Sequence, residues 1–291
     1  MGNSGRPLYV VEWRMATTIT AALATLFCSA IAVAQPIELS LNDPGFRVTD
    51  LAATNRLYAD LGFSVLTTGP TTSAILFREG GGLEFFEHRD LREGPINADL
   101  EVLSADEAAR HLRAAGLKMV GPTPGSRVIP GGPVVKWLMV QFEDKLGSRP
   151  VYMVQALNPE LRPKDLDHPN SVSSLSGVLI AVNDLEKAAS GYANIGKLSS
   201  REVAFPEFAA VAREIVLTRG SIFLLRAADP SGPTAQHIKT SGEGILGVRL
   251  VVTDLDQTRK VIGGKNISKD KQAVLVSPEN AAGAWLEFRL K

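Results

Sequence analysis

The chain has 291 residues, with 31 Lys or Arg against 31 Asp or Glu, so its formal net charge is zero. Hydrophobic residues make up 45% of it, enough for a sizeable core, which excludes a disordered chain. No long run of Lys or Arg occurs, and a nucleic-acid footprint is excluded with it.

Residues 1–34 read as a secretory signal peptide. Arg14 precedes Met15, the stretch from Ile19 to Val33 is uncharged and apolar or small, and Ala32-Val33-Ala34 has the small-x-small pattern that signal peptidase accepts. Cleavage is expected between Ala34 and Gln35, with either Met1 or Met15 as the start, and the product is expected in the periplasm or outside the cell. The apolar run is too short to span a bilayer comfortably, so no membrane span is expected after cleavage. Cys28 is the only cysteine and lies inside this segment. The mature chain would then contain no disulfide, no zinc–thiolate site and no cysteine nucleophile.

The remainder repeats itself. Asp50-Leu51 is followed by Tyr58 and Gly62, and Asp184-Leu185 by Tyr192 and Gly196 at the same offsets. Asp254-Leu255 leads to Gly263-Gly264, and a weaker copy runs from Ser104-Ala105-Asp106 to Gly116. Such repetition sets the architecture before any single element does. In the first copy Asp50 suits a helix N-cap, Leu51, Leu57, Tyr58 and Leu61 share a helical face, and Gly62 ends the helix. Ala74 to Phe77 and Leu83 to Phe86 are predicted strands around the turn Gly80-Gly81-Gly82. The second copy gives a strand from Leu100 to Leu103, a helix from Asp106 to Ala115, and strands from Lys136 to Phe142 and from Val151 to Val154. Gly121 to Pro133 reads as a loop, and Leu157 to Ser174 as a linker. The third copy gives Val178 to Val182, a helix from Asp184, then Glu214 to Thr218 and Ser221 to Leu225. The fourth gives Leu246 to Val252, a helix from Asp254, then Val274 to Val276 and Trp285 to Leu290. The expected fold class is α+β, with four βαβββ modules paired into two cup-shaped sheets and helices outside. The expected domains span residues 36–156 and 175–291, joined by the linker at 157–174.

The stretches from Asp43 to Leu51 and from Gly177 to Leu185 resemble module openings of the vicinal oxygen chelate superfamily. Gly69-Pro70-Thr71-Thr72-Ser73-Ala74 and Gly82-Leu83-Glu84 are similar to its glyoxalase-like branch. That superfamily holds glyoxalase, bleomycin-resistance and extradiol-dioxygenase types. The resemblance implies a divalent metal in a cup, held from the first and last strands of paired modules, usually by His and Glu. Carried over, those positions are Asp43, Glu84, Asp99 and Met153 in the first half, and Gly177, Leu224, Gly247 and Glu287 in the second. No first-strand His is present. Asp43, Glu84 and Asp99 are therefore the candidate metal ligands, suited to Mg²⁺ or Mn²⁺ because all are oxygen donors.

In the second cup Glu287 is expected to pair with Arg289, two residues on along the same strand face. Phe86 and His88 are candidate ligand contacts. His88 shares a strand face with Glu84 but lies too far along it to bind the same ion, which places it at the rim. His168 is expected to tie down the linker by hydrogen bonds. His111 lies on a polar helix face and His237 in a Pro/Ser/Gly-rich loop. No catalytic residue is assigned, and no Walker loop or GxSxG elbow appears.

Two functions follow from the resemblance. One is a metal-dependent lyase, isomerase or dioxygenase acting on a small organic molecule. The other is a metal-free protein that binds or sequesters such a molecule against Phe86. Missing histidines favour binding, and the acidic cluster favours catalysis.

Overall fold

Four residues that open the sequence repeats also open helices. In the computed structural model the Asp50 carboxylate accepts a hydrogen bond from the Ala53 amide, Ser104 Oγ from Glu107, Asp184 from Lys187, and Asp254 from Asp256 and Gln257. Each cap satisfies amides that have no partner within the helix, and so fixes where the helix begins. The structure describes residues 37–142, 151–163, 166–196, 198–268 and 271–291. The expected signal segment lies outside them. Residues Pro36–Lys291 form one compact unit.

The first half contains β1 (Ser40–Leu41), β2 (Gly45–Val48), α1 (Leu51–Asp60), β3 (Leu66–Gly69), β4 (Thr72–Leu76) and β5 (Gly82–Glu87). It continues with β6 (Gly94–Glu101), α2 (Ala105–Ala114), β7 (Met119–Val128), β8 (Val134–Phe142) and β9 (Val151–Ala156). The second half contains β10 (Val172–Ala181), α3 (Leu185–Ala193), β11 (Ser200–Phe205), β12 (Ala210–Val216), β13 (Ser221–Ala227) and α4 (Pro233–Ser241). It ends with β14 (Gly244–Val252), α5 (Leu255–Ile262), β15 (Ala273–Val276) and β16 (Trp285–Leu290).

One nine-stranded sheet runs in the order β3-β4-β5-β2-β6-β9-β8-β7, with β1 also on β6. One seven-stranded sheet runs β11-β12-β13-β10-β14-β16-β15. Within each module the first strand lies parallel to the last, as β2 to β5, β6 to β9, β10 to β13 and β14 to β16. A parallel pair needs a long crossover, and the module's helix supplies it. Modules join through their first strands, β2 antiparallel to β6 and β10 antiparallel to β14. The fold is thus α+β with two curled sheets, as the repeats imply.

The fourth module has one strand fewer than expected. Where an outermost strand would run, the chain makes only a single bridge, Asn266 to Val276. Asn266 Oδ1 there accepts the amides of Ser268 and Leu275 and takes the place of a ladder.

Other expectations also change. The segment read as a loop from Gly121 is mostly the strand β7. Its prolines are tolerated because β7 is a sheet edge that pairs only with β8, with a register shift between Val120 and Thr123. The Pro/Ser/Gly-rich stretch containing His237 is the helix α4, begun by Pro233 at its first position. The linker read as 157–174 gives way to β10 at Val172.

The alternate residues of each strand separate two cores. On the helix side, one cluster runs through both halves, from Phe46, Tyr58 and Phe85 to Tyr192, Val248 and Phe288. The Phe63 and Phe288 rings lie 6.0 Å apart, and Tyr58 donates its hydroxyl to Ala281 O at 3.2 Å. A smaller cluster of Leu179, Phe205, Phe208, Phe223, Leu225 and Leu246 lies apart from it, with Trp285 packed against it. No described helix is long and apolar enough to cross a membrane.

Candidate functional site

Leu83 and Phe85 of β5 are fully buried on the helix side, so Glu84 and Phe86 between and beyond them face the concave side. By the same alternation Asn97 and Asp99 of β6, flanking the buried Ala98, face it too, as does Tyr152 beside the buried Met153 of β9. Arg127 comes from β7. Its guanidinium donates to Glu84 Oε1 at 2.8 Å and lies 6.0 Å from the Phe86 ring centroid and 5.8 Å from that of Trp137. It also reaches Thr68 of β3 at 3.5 Å, so the two edges of the nine-stranded sheet approach each other there. The sheet curls far enough to bring its first and last strands together.

Of the three carboxylates carried over as metal ligands, Asp43 and Asp99 lie near enough to Glu84 to feel its charge. Asp43 precedes β2, and its carboxyl is pushed up to about 7 by burial first and by Glu84 second. Arg162 and Arg219 act against that rise. Asp43 Oδ1 is shielded from solvent and has no hydrogen-bond partner among the described residues. Asp99 is raised well above the usual carboxylate range by burial, then by Glu84, although it accepts a hydrogen bond from the Asn97 amide. Glu84 is held by Arg127 instead.

Among the described residues no group of three or more His, Cys, Asp or Glu is arranged to hold a metal ion. The first-strand residue in register with Glu84 is Gly45, which also pairs with Asn97. A Cβ at Gly45 would stand 2.2 Å from Asn97 Oδ1 and 3.2 Å from the Phe86 ring, so no imidazole fits in this arrangement. With Glu84 committed to Arg127, the donors as placed do not fit a divalent ion.

Other carried-over positions fall on the wrong face. Met153 and Leu224 are fully buried in the helix-side core and cannot face a cup. His88 lies one residue past β5, exposed, with its amide on Val48 O at 2.8 Å. Phe86 is on the concave face as read. His168 ties down the linker: Nδ1 accepts the Ser64 amide at 3.0 Å and Nε2 lies 3.1 Å from Leu76 O.

The second concave face is built from the same parts but is filled. Its small apolar cluster occupies it, closed by Phe208 under α4, where Thr234 Oγ1 donates to Phe208 O. Arg249 of β14 sits 4.4 and 4.5 Å from the Phe205 and Phe223 ring centroids and donates to Glu287 at 2.8 Å. Arg289 also donates to Glu287 at 2.6 Å, as its position two residues on implies. Arg249 and Arg127 escaped the sequence reading. Prolines hid the alternation of β7, and Arg249 lies amid apolar residues with no charged neighbour to flag it.

Two surface cavities have linings that share no residue with the Arg127–Glu84 or Arg249–Glu287 pairs. One of about 470 Å³ is lined by Thr49, Asp50, Asn55, Pro70, Glu87 and Arg89, and one of about 390 Å³ by Asn183, Asp229, Ile238 and Lys239 among others. Both are shallow and lack buried charge, so the chemistry of the cups outweighs their size.

Residues 72–196 match the family model of the glyoxalase-like domain, from β4 across the linker to the end of the α3 region. No curated protein matches the chain in sequence. Solved structures match its fold along most of its length. A hypothetical protein from Staphylococcus aureus superposes with TM-score 0.60 at 11% identity, covering 87% of this chain and 99% of its own. A variant of homoprotocatechuate 2,3-dioxygenase from Brevibacterium fuscum gives 0.61 at 13%, covering 89% and 73%. A catechol 2,3-dioxygenase gives 0.58 at 17%, covering 88% and 94%. Residues 72–196 are thus similar to the glyoxalase-like domain, and the chain shares the fold of these solved structures.

Proposed function

We propose that the protein is an exported small-molecule-binding protein whose ligand occupies the first cup, and that binding needs no metal. The contrast between the two cups carries this reading. The second is filled by its own side chains, whereas the first is lined by partly exposed Phe86, Trp137, Tyr152, Asn97 and Asp99. Aromatic faces with a few converging polar groups are what a small organic ligand needs. The similar solved dioxygenases are named for catechol and homoprotocatechuate, both small aromatic molecules, which supports an aromatic ligand here.

Export rests on Ala32-Val33-Ala34, and N-terminal sequencing of protein from the outer compartment tests it. A mature chain that retains Cys28 refutes it. Binding is tested through tryptophan. The chain beyond residue 34 has only Trp137, in the first cup, and Trp285, in the second. In a Trp285→Phe protein, emission reports Trp137 alone. A panel of small aromatic compounds should quench or shift it saturably. A flat response across the panel removes the binding reading.

The competing reading is a metal-assisted lyase, isomerase or dioxygenase. It draws support from the carboxyls Asp43, Glu84 and Asp99. It requires an ion to take Glu84 from Arg127. On that reading Mn²⁺ or Mg²⁺ raises the melting temperature and Glu84→Gln abolishes the rise. On ours neither ion shifts the curve.

A further inference from the structure

We propose that the ligand of the first cup is an organic cation, an ammonium or amidinium group on a small aromatic body, and that Arg127 is a built-in occupant which it displaces. The proposal rests on the reading of the first cup as a binding site.

The observation is one arrangement built twice. In the second cup the Arg249 guanidinium lies between the Phe205 and Phe223 rings against Glu287, which is 1% exposed. In the first cup the Arg127 guanidinium lies by the Phe86 and Trp137 rings against Glu84. Ring faces carry negative charge density and attract a desolvated cation, and a carboxylate adds a directed charge-assisted bond. Both cups therefore show the chemistry of cation recognition, and each is satisfied from within.

The two arginines differ in how firmly they are held. Arg249 is on the central strand β14, paired on both sides by β10 and β16. Its two rings are within 4.5 Å, and Glu287 is shared with Arg289. Arg127 is on the edge strand β7, with rings near 6 Å, and its partner Glu84 is 21% exposed where Glu287 is 1%. An arginine at a sheet edge can swing into solvent without breaking a ladder. An incoming cation would then inherit Glu84 and both rings.

The charge around the site favours the same sign. Asp99 and Asp43 stand near Glu84, whose charge raises the proton affinity of both after burial. A cation that replaces Arg127 keeps Glu84 paired beside these carboxyls, whereas an anion does not. An anionic ligand would meet Arg127 only after it had left Glu84, and would then leave Glu84 unpaired among carboxyls.

The test uses four probes of one shape, benzylamine, benzamidine, benzyl alcohol and benzoate, read by Trp137 emission in the Trp285→Phe protein. The cations should bind at least about tenfold more tightly than the alcohol or benzoate, a difference of ~1.4 kcal/mol. Glu84→Gln should bring cation and alcohol within about twofold, because the directed charge is gone. Arg127→Ala should tighten the cations severalfold by removing their competitor. Phe86→Leu, which changes no charge, should weaken them severalfold and serves if Glu84→Gln does not fold by circular dichroism. Equal or stronger binding of benzoate or benzyl alcohol overturns the proposal and leaves the binding reading standing. So does a cation preference that survives both Glu84→Gln and Phe86→Leu, or weaker cation binding in Arg127→Ala. If no probe of any charge perturbs Trp137, both readings fall together.

Discussion

Gly45 and Gly177 hold the same place in the two sheets, each opposite the residue of the neighbouring module that defines its cup. Gly45 pairs with Asn97 across β6, and Gly177 with Arg249 across β14. Each lacks a side chain where an aromatic ring needs the space: a Cβ at Gly177 would stand 2.5 Å from the Phe223 ring, and one at Gly45 3.2 Å from the Phe86 ring. Both glycines are therefore part of how the cups are furnished.

From this, Gly177→Ala should destabilise more than Gly45→Ala. The Phe223 ring is wedged against Arg249 and Phe205 and cannot give way, whereas the closest atom at Gly45 is the tip of the Asn97 side chain. Overpacking of a wedged ring costs ~1–3 kcal/mol, and a yielding tip less. Urea denaturation of the two variants orders them, and equal losses would show that Phe223 is not fixed.

Arg249→Leu should be among the costlier changes. It opens the sandwich of Phe205 and Phe223 and leaves the buried Glu287 to Arg289 alone. Removing one partner of a buried ion pair costs ~3–5 kcal/mol, and the remaining Arg289 bond places this case toward the lower end. Arg127→Leu should cost less, because the carboxylate it leaves behind, Glu84, is 21% exposed where Glu287 is 1%. Chemical melts of both variants check the order.

Two groups should give the stability curve opposite slopes. Asp43 titrates at 3.8 unfolded and at about 7 folded, beside Glu84, Glu101, Arg162 and Arg219. A raised carboxyl contributes its stability below the unfolded value and loses it as pH rises toward 7. Asp43→Asn should therefore gain on the wild type between pH 4 and 7, by on the order of 3 kcal/mol. His168 is lowered from 6.5 by burial, which outweighs the opposing effect of its bond to Leu76 O. Its contribution is complete above pH 6.5 and falls as the pH drops through that value. His168→Gln should lose stability at pH 8, with a smaller loss at pH 5. Melting temperatures across pH for the three proteins decide both signs.

Limited proteolysis should cut at the exposed β7–β8 turn around Gly131 and Gly132 before it cuts between Leu166 and Val172. The latter segment reads as a linker but is tied down. Asn170 is fully buried, donates to Leu61 O at 2.9 Å and accepts the Val172 amide. Mass spectrometry of the first fragments identifies the site.

The sequence disclosed what depends on neighbours a few residues away. Asp50, Asp184 and Asp254 announce helix starts because a cap acts within three residues. Tyr58 and Tyr192 mark the buried helix faces through a spacing the helix itself imposes. The sheet-edge elements were harder. Pro122 and Pro124 look like loop residues until β7 is known to pair on one side only, and β3 and β11 are short and polar. The site was least legible. Glu84 was singled out by the family resemblance, but its partner Arg127 lies 43 residues on and meets it only because the sheet curls. Met153, carried over as the fourth family position, lies in the helix-side core, because a strand's two faces differ by a single step.

The meeting of β3 and β7 at Thr68 and Arg127 has a kinetic meaning. The first cup opens along a seam, and the same guanidinium is both its clasp and its resident. On the proposed displacement, a molecule bound for Glu84 must wait for that guanidinium to leave. Its arrival is then paced by the protein's own breathing, and the slow step should be independent of how much ligand surrounds it.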